Sequence, residues 1–195
     1  MEFSVIRNWV GRFLQDTSFK YYGGDATGAN RAINYAIKLV STLVPYDLLG
    51  TLQGYETDVT SINVAQYDLP DDFYWFKKVK YQGYWCEKLA IEDLSLLDTN
   101  NFNKVTLTAP ICYLSVGKIN YLPSPTEATD PGGRILYYVK IATDLSSDTD
   151  ENPLNNLLDY AVALKATEIL ASKHADDKRW ADKFEREISN WRPAK

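Results

Sequence analysis

The stretch Arg134-Ile-Leu-Tyr-Tyr-Val-Lys-Ile141 decides the class of the fold, because it is the clearest strand in the chain and is soon followed by the clearest helix start. Ile135, Tyr137, Val139 and Ile141 alternate with Arg134, Leu136, Tyr138 and Lys140, which is the period of two that a pleated strand requires. Beyond it, Asp150 and Glu151 precede Asn152 and Pro153. Asn152 suits an N-cap, Pro153 suits the first helical turn, and the two acids favour the positive end of a helix dipole. The spacing predicts a helix from there to about His174, with Leu154, Leu157, Leu158, Ala161, Val162, Leu164, Ile169 and Leu170 on more than one face. So broad an apolar surface implies contact on two sides. A final helix is expected over about 176–191, with a narrow stripe of Trp180, Phe184, Ile188 and Trp191 on a charged rod.

Upstream of the strand the pattern is strand-rich back to about residue 51. Residues 111–116 and 118–122 read as a hairpin turning at Gly117, the loop 123–133 joins it to the Arg134 strand, and a short helix is expected over 91–97. Before that region the period becomes helical again. Phe3, Ile6, Trp9, Val10, Phe13 and Leu14 form one stripe. Ile33, Ala36, Ile37, Val40 and Val44 form another on a helix over about 27–44, which Pro45 ends. The order implies an α+β fold: N- and C-terminal helices forming a bundle, with an inserted antiparallel β-rich region. One domain over 1–195 is expected, helical at 1–46 and 152–195, with the insertion at about 51–141.

Composition sets the outer limits. The 195 residues include 5 Trp, 14 Tyr and 7 Phe, too many buryable rings for a disordered chain. A chain of this length buries roughly 70% of its unfolded surface, so it needs no staple. No run of about 18 apolar residues occurs, which argues against a membrane span. Net charge is −5, with 21 Lys+Arg against 26 Asp+Glu, and this argues against a tight nucleic-acid binder. Residues 151–195 hold 8 basic and 8 acidic side chains, so residues 1–150, with 13 basic and 18 acidic, carry the whole excess. Cys86 and Cys112 read as two free buried thiols of a reducing cytoplasm. The opening Met1-Glu-Phe-Ser-Val-Ile-Arg7 fits neither a signal nor a transit peptide.

No catalytic or metal constellation emerges. Gly23-Gly-Asp-Ala-Thr-Gly28 has the glycine spacing of a phosphate loop, but Ala29 and Asn30 stand where that loop needs Lys and Ser or Thr. His174 is the only histidine, and no Gly-x-Ser-x-Gly elbow accompanies it. Neither cysteine has a Cys-x-x-Cys partner. Asp71-Asp72 and Glu92-Asp93 are sequence neighbours, which seldom face each other across a substrate bond. Asp144, Asp148, Asp150 and Glu151 lack the spacing of a calcium loop and read as a solvated loop capping the next helix. Exposed Trp and Tyr on a sheet would instead suit a carbohydrate-binding β-rich module of a surface assembly.

Tyr67-Asp-Leu-Pro-Asp-Asp-Phe73 resembles the Leu-Pro-x-Asp-Phe step of tailed-bacteriophage head–tail adaptor (connector) proteins. The features that follow it also match in order. They are a strand at 76–81, the segment Glu87-Lys-Leu-Ala-Ile-Glu-Asp-Leu94, Tyr121-Leu-Pro-Ser-Pro125, the Tyr137-Tyr138 pair and a closing helical segment from Pro153. The helix at 30–44 resembles the family's Asn-x-Ala helix. The sequence departs at Thr108-Ala-Pro110, where the family often has Gly-x-Pro.

The resemblance implies a structural virion protein with no enzymatic activity, no cofactor and no metal. It implies a homo-oligomeric, twelvefold ring below the portal protein, at the head–tail junction of a virion, made in the host bacterial cytoplasm. That ring extends the DNA channel and offers a platform to a tail (nozzle or tail-completion) protein. Viral DNA passes through without sequence-specific binding, and no membrane is involved. Leu154, Leu158, Val162, Ile169, Trp180, Phe184, Ile188, Trp191 and Arg192 are the candidate contacts between subunits or with portal, with packing on the helical bundle as the first alternative for the Trp180, Phe184, Ile188 and Trp191 stripe.

Overall fold

The computed structural model describes residues 1–22, 26–58, 66–96, 105, 106, 108–122, 133–172 and 177–192. His174, residues 23–25 of the glycine loop and residues 123–132 lie outside them. The chain is α+β, with four α-helices and two four-stranded sheets among the described residues. It divides into two compact units: residues 1–53 with 141–195, and residues 54–140.

The first unit is helical: α1 (Phe3–Leu14), α2 (Ala26–Leu43), α3 (Asp159–Ala171) and α4 (Asp177–Ser189). On α1, Phe3, Ile6, Val10 and Leu14 are buried, and on α2 Ala29, Ile33, Ala36, Ile37 and Val40. These belong to the expected stripes, of which Trp9 and Phe13 are only half-buried. Helix α3 is buried around most of its circumference, through Ala161, Val162, Ala163, Leu164, Ala166, Thr167, Leu170 and Ala171. It packs against α1, α2 and α4, so the contact on more than one side is satisfied within the chain. Trp180, Phe184 and Ile188 of α4, four residues apart, are all buried.

The start of α3 differs from expectation. Asn152 does not cap a helix, because the Pro153 carbonyl accepts a hydrogen bond from the Thr51 N–H (2.9 Å), and Asn155 N–H donates to the Leu48 carbonyl (3.0 Å). Those bonds hold residues 152–155 as a turn. Asn152 instead accepts from Leu154 N–H (3.2 Å) and donates through Nδ2 to the buried Asp159 carboxylate (2.6 Å). The cap falls to Asn155, whose Oδ1 accepts from Leu157 N–H (3.0 Å) at the 3₁₀ turn Asn156–Leu158 that leads into α3. Asn34 of α2 acts in a similar way on residue 145, donating to its carbonyl (3.0 Å) and accepting from its N–H (2.9 Å).

The second unit holds two sheets. One has the order β1 (Gln53–Asp58), β8 (Arg134–Lys140), β3 (Phe73–Tyr81), β4 (Tyr84–Trp85). The other has the order β2 (Gln66–Asp68), β7 (Lys118–Leu122), β6 (Ile111–Ser115), β5 (Glu87–Lys88). The hairpin β6–β7 turns at Gly117 with φ +72°, as the sequence predicts. The region is not purely antiparallel, since β5 runs parallel to β6. The connection between them includes the 3₁₀ helix Ile91–Leu96 and is long enough for the crossover a parallel pair needs.

Val79, Leu136 and Tyr138 of the first sheet meet Cys112, Ile119 and Tyr121 of the second in one core. Tyr81 stacks on Tyr121 at 4.9 Å. On β8 it is Arg134, Leu136 and Tyr138 that face inward, and the Arg134 side chain is 2% exposed. Its guanidinium lies over the Tyr67 ring at 4.1 Å, and Nη2 donates to Glu56 Oε1 at 3.2 Å.

Two glycines give a test of the backbone. Gly50 has φ +57°, and a Cβ there would stand 2.3 Å from the Pro153 carbonyl oxygen, whereas a Cβ on Gly117 meets nothing within 4 Å. Gly117→Ala is expected to cost about 1 kcal/mol, from positive φ alone. Gly50→Ala should cost about 3 kcal/mol or more, because it also breaks the turn before α3. Urea unfolding of both variants checks the difference.

Burial, with Tyr67 and Cys86 beside it, pushes the Tyr81 phenol up from its usual 10.0 to about 12, and burial moves Tyr121 in the same direction. The folded state therefore holds these phenols protonated. That preference contributes fully below pH 10 and is lost as pH rises from 10 towards 12. Tyr81→Phe should move the midpoint of alkaline unfolding to higher pH, as circular dichroism along a pH titration would show.

Candidate assembly surfaces

The described polar groups considered for chemistry lie apart from one another, save that Cys86 touches Cys112. Asp72 accepts from Tyr138 Oη at 2.7 Å, and Asp71 is exposed on the turn ahead of β3. Glu92 and Asp93 lie in the first turn of the 3₁₀ helix. Cys86 and Cys112 are free thiols, and a hydrogen bond to the Cys112 sulfur, followed by burial, pushes the Cys86 thiol well up. A thiol held protonated, as Cys86 is, makes a poor nucleophile. Among the described residues, no group of three or more His, Cys, Asp or Glu is placed to hold a metal, and no helix is long and apolar enough to cross a membrane.

The acidic loop is not the cap of the following helix. Asp150 accepts from the N–H groups of Ser146 (2.7 Å) and Ser147 (2.8 Å), which lowers its pKa, so it closes its own turn. Asp148 pairs with Arg7 of α1, and Asp144 pairs with Lys38 of α2 at 2.7 Å. Glu151 bridges to Glu2 through the backbone. The result is a carboxylate-rich edge held against the two N-terminal helices.

The structure places the expected contact residues mostly inside the helical unit. Leu154, Leu158, Val162, Trp180, Phe184 and Ile188 are buried there. Ile169 and Trp191 are half-buried, and Arg192 is exposed and paired with Glu185 at 3.2 Å.

Accessible apolar side chains occur elsewhere, and two groups of them form patches that helical periodicity does not reveal. The first is on the helical unit. Tyr160, 43% exposed, stands edge-on to Trp9 (6.2 Å) and Phe13 (5.8 Å), and Phe13 stacks on Trp180 at 5.6 Å. Lys183 and Arg179 lie over the Trp180 ring at 4.4 and 5.1 Å, and Leu157 is 56% exposed. Tryptophan, tyrosine and arginine around a partly buried centre are the residue types that dominate binding energy at protein interfaces.

The second patch is the outer face of the β1-β8-β3-β4 sheet. Lys78 pairs with Tyr137 across the ladder, and Lys80 pairs with Ile135 and Trp85, so these side chains share one face, opposite Val79 and Tyr81. Tyr55 meets Tyr137 at 5.4 Å and 64°, and Trp85 meets it at 5.8 Å and 46°. The Lys78 ammonium sits over both Trp85 (4.8 Å) and Tyr137 (5.0 Å). Tyr55 and Trp85 are more than half exposed. The alternation on β8 is legible in the sequence but this cluster is not, because its members join only when β8 pairs with β1 and β3, and β3 with β4.

The two patches present the residue types that protein interfaces favour. No curated protein matches the chain significantly. The model of the SU10 adaptor protein family matches residues 1–191, nearly the whole length, in agreement with the resemblance carried by the Leu-Pro-Asp-Asp-Phe73 step and the features after it. The chain therefore belongs to the SU10 adaptor protein family, as a structural phage adaptor and not a member of an enzyme class.

Proposed function

We propose that the protein is a virion component of the head–tail junction, which assembles as a twelvefold ring below the portal, extends the DNA channel and receives the tail. The observation that carries this reading is the family match over residues 1–191. Residues 1–195 then act as one adaptor domain, with α1, α2 and α4 bundled around α3 and the β-rich region inserted. Two different accessible patches on one chain support the reading, because a copy in such a ring must meet portal as well as its neighbours. Net charge of −5 supports the conduit, because a wall that repels phosphates does not retain the genome during ejection.

The helical patch is the contact we assign to portal: Leu157 and Tyr160, with Trp9 and Phe13 behind them. Carbohydrate binding fits the sheet patch less well. Its rings are inclined at 46° and 64°, and an ammonium occupies the space above two of them, where stacking on a sugar needs an open, flat ring surface.

Electron microscopy of the purified chain mixed with its portal ring tests the proposal. A closed ring on the portal is the expected result, and a chain that stays unattached beside intact portal rings would overturn it. Leu157→Ser with Tyr160→Ser should weaken portal binding about tenfold or more, at a cost in stability of about 1–3 kcal/mol from the lost Tyr160 contacts with Trp9 and Phe13. By contrast, Phe184→Ala should cost about 3–5 kcal/mol of stability, because its ring fills the core behind α4.

A further inference from the structure

The sheet patch is cationic as well as aromatic. Lys78 and Lys80 have no carboxylate partner among the described residues, although the chain as a whole is acidic. The rings of Tyr55, Tyr137 and Trp85 leave the Lys78 charge exposed at the surface of an apolar platform. A ligand for such a face carries carboxylates on a chain that also has atoms to lay against rings.

The same protein presents that complement. Glu2, Asp144, Asp148, Asp150 and Glu151 gather at the edge of the helical unit, where Arg7, Lys38 and the Met1 ammonium, itself paired with Asp159, offset them in part. Even in their ion pairs the Asp144 and Asp148 side chains remain 66% and 64% exposed. Glu2 and Glu151 have no cationic partner among the described residues. The loop between them is held in shape by the Asp150 turn and by Asn34, so little ordering remains to be done on binding.

We propose that the outer face of this sheet, formed by Tyr55, Lys78, Lys80, Trp85 and Tyr137, receives the acidic loop 144–151 and Glu2 of a second copy of the chain. The occupant follows from charge: a basic, aromatic surface and an acidic, preformed loop occur on one polypeptide. Joining the face of one copy to the loop of the next is a heterologous contact, which repeats around a ring. It deepens the adaptor reading by naming the contact between ring neighbours, and it leaves the helical patch to portal. The contact should strengthen at low salt, since its charges lie at an accessible surface.

Zero-length carbodiimide coupling at high protein concentration tests the contact without portal. In an equal mixture of isotopically light and heavy full-length chains, mixed-isotope links from Lys78 or Lys80 to Glu2 or Glu151 are expected. Links between copies that avoid these residues, or no links between copies at all, would overturn the proposal. A charge exchange then tests it on portal rings. Lys78→Glu with Lys80→Glu, and separately Glu2→Lys with Glu151→Lys, should each leave portal binding of single copies intact and reduce closed rings about tenfold or more. Mixing the two variants should restore rings, in which they alternate, because every contact then regains opposite charges.

Closed rings from the lysine variant alone would sink this contact and spare the adaptor reading. Loss of portal binding by the lysine variant would assign the face to portal instead. Wild-type chain that never attaches to portal would sink the adaptor reading, with the cross-links still deciding the contact between copies.

Discussion

Helix α3 carries too little polar surface to face water, and that constraint organises the helical unit. Eight of its thirteen residues are the apolar or small side chains Ala161, Val162, Ala163, Leu164, Ala166, Thr167, Leu170 and Ala171, all buried. A helix of that kind is stable only when other elements wrap it. Here α1, α2 and α4 do so, although α1 and α2 precede it by more than a hundred residues. The β-rich region therefore leaves and re-enters the helical unit between α2 and α3. The turn at 152–155, fastened to residues 48 and 51 by backbone hydrogen bonds, fixes where α3 begins.

Much of this was legible from local pattern. The stripes of α1, α2 and α4, the strand Arg134–Lys140 and the hairpin at Gly117 all stand where their periods and turn residues put them. The failures have a common physical cause, which is that they concern partners distant in sequence. Asn152 has every local mark of a cap, yet its oxygen and amide are taken by Leu154 and Asp159, while the Pro153 carbonyl belongs to Thr51. The parallel pairing of β5 with β6 depends on a long connection that no short-range signal specifies.

The same distinction separates core from surface. Leu154, Leu158, Val162, Trp180, Phe184 and Ile188 attract notice because they are large, apolar and periodic, and those are the properties of residues that build the protomer. The accessible aromatics lack that periodicity. Tyr160 stands on the exposed side of a helix whose other sides are covered, and Tyr55, Tyr137 and Trp85 come from three strands. Lys78 lies at the centre of that second group, so the face is cationic as well as apolar. A surface of this composition excludes random hydrophobic contacts while favouring an acidic partner.

The central claim is that the apolar helices stabilise the protomer and that the exposed aromatic patches make the assembly. Amide hydrogen exchange of the free chain, compared with the same chain bound to portal rings, tests this most directly. The account predicts that the amides of α3 and α4 are already protected in the free chain, and that binding adds protection around Leu157 and Tyr160, in β3, β4 and β8, and in residues 144–151. Rapid exchange throughout α3 and α4 in the free chain, with protection arising only on assembly, would contradict it and return those helices to the role of the interface itself.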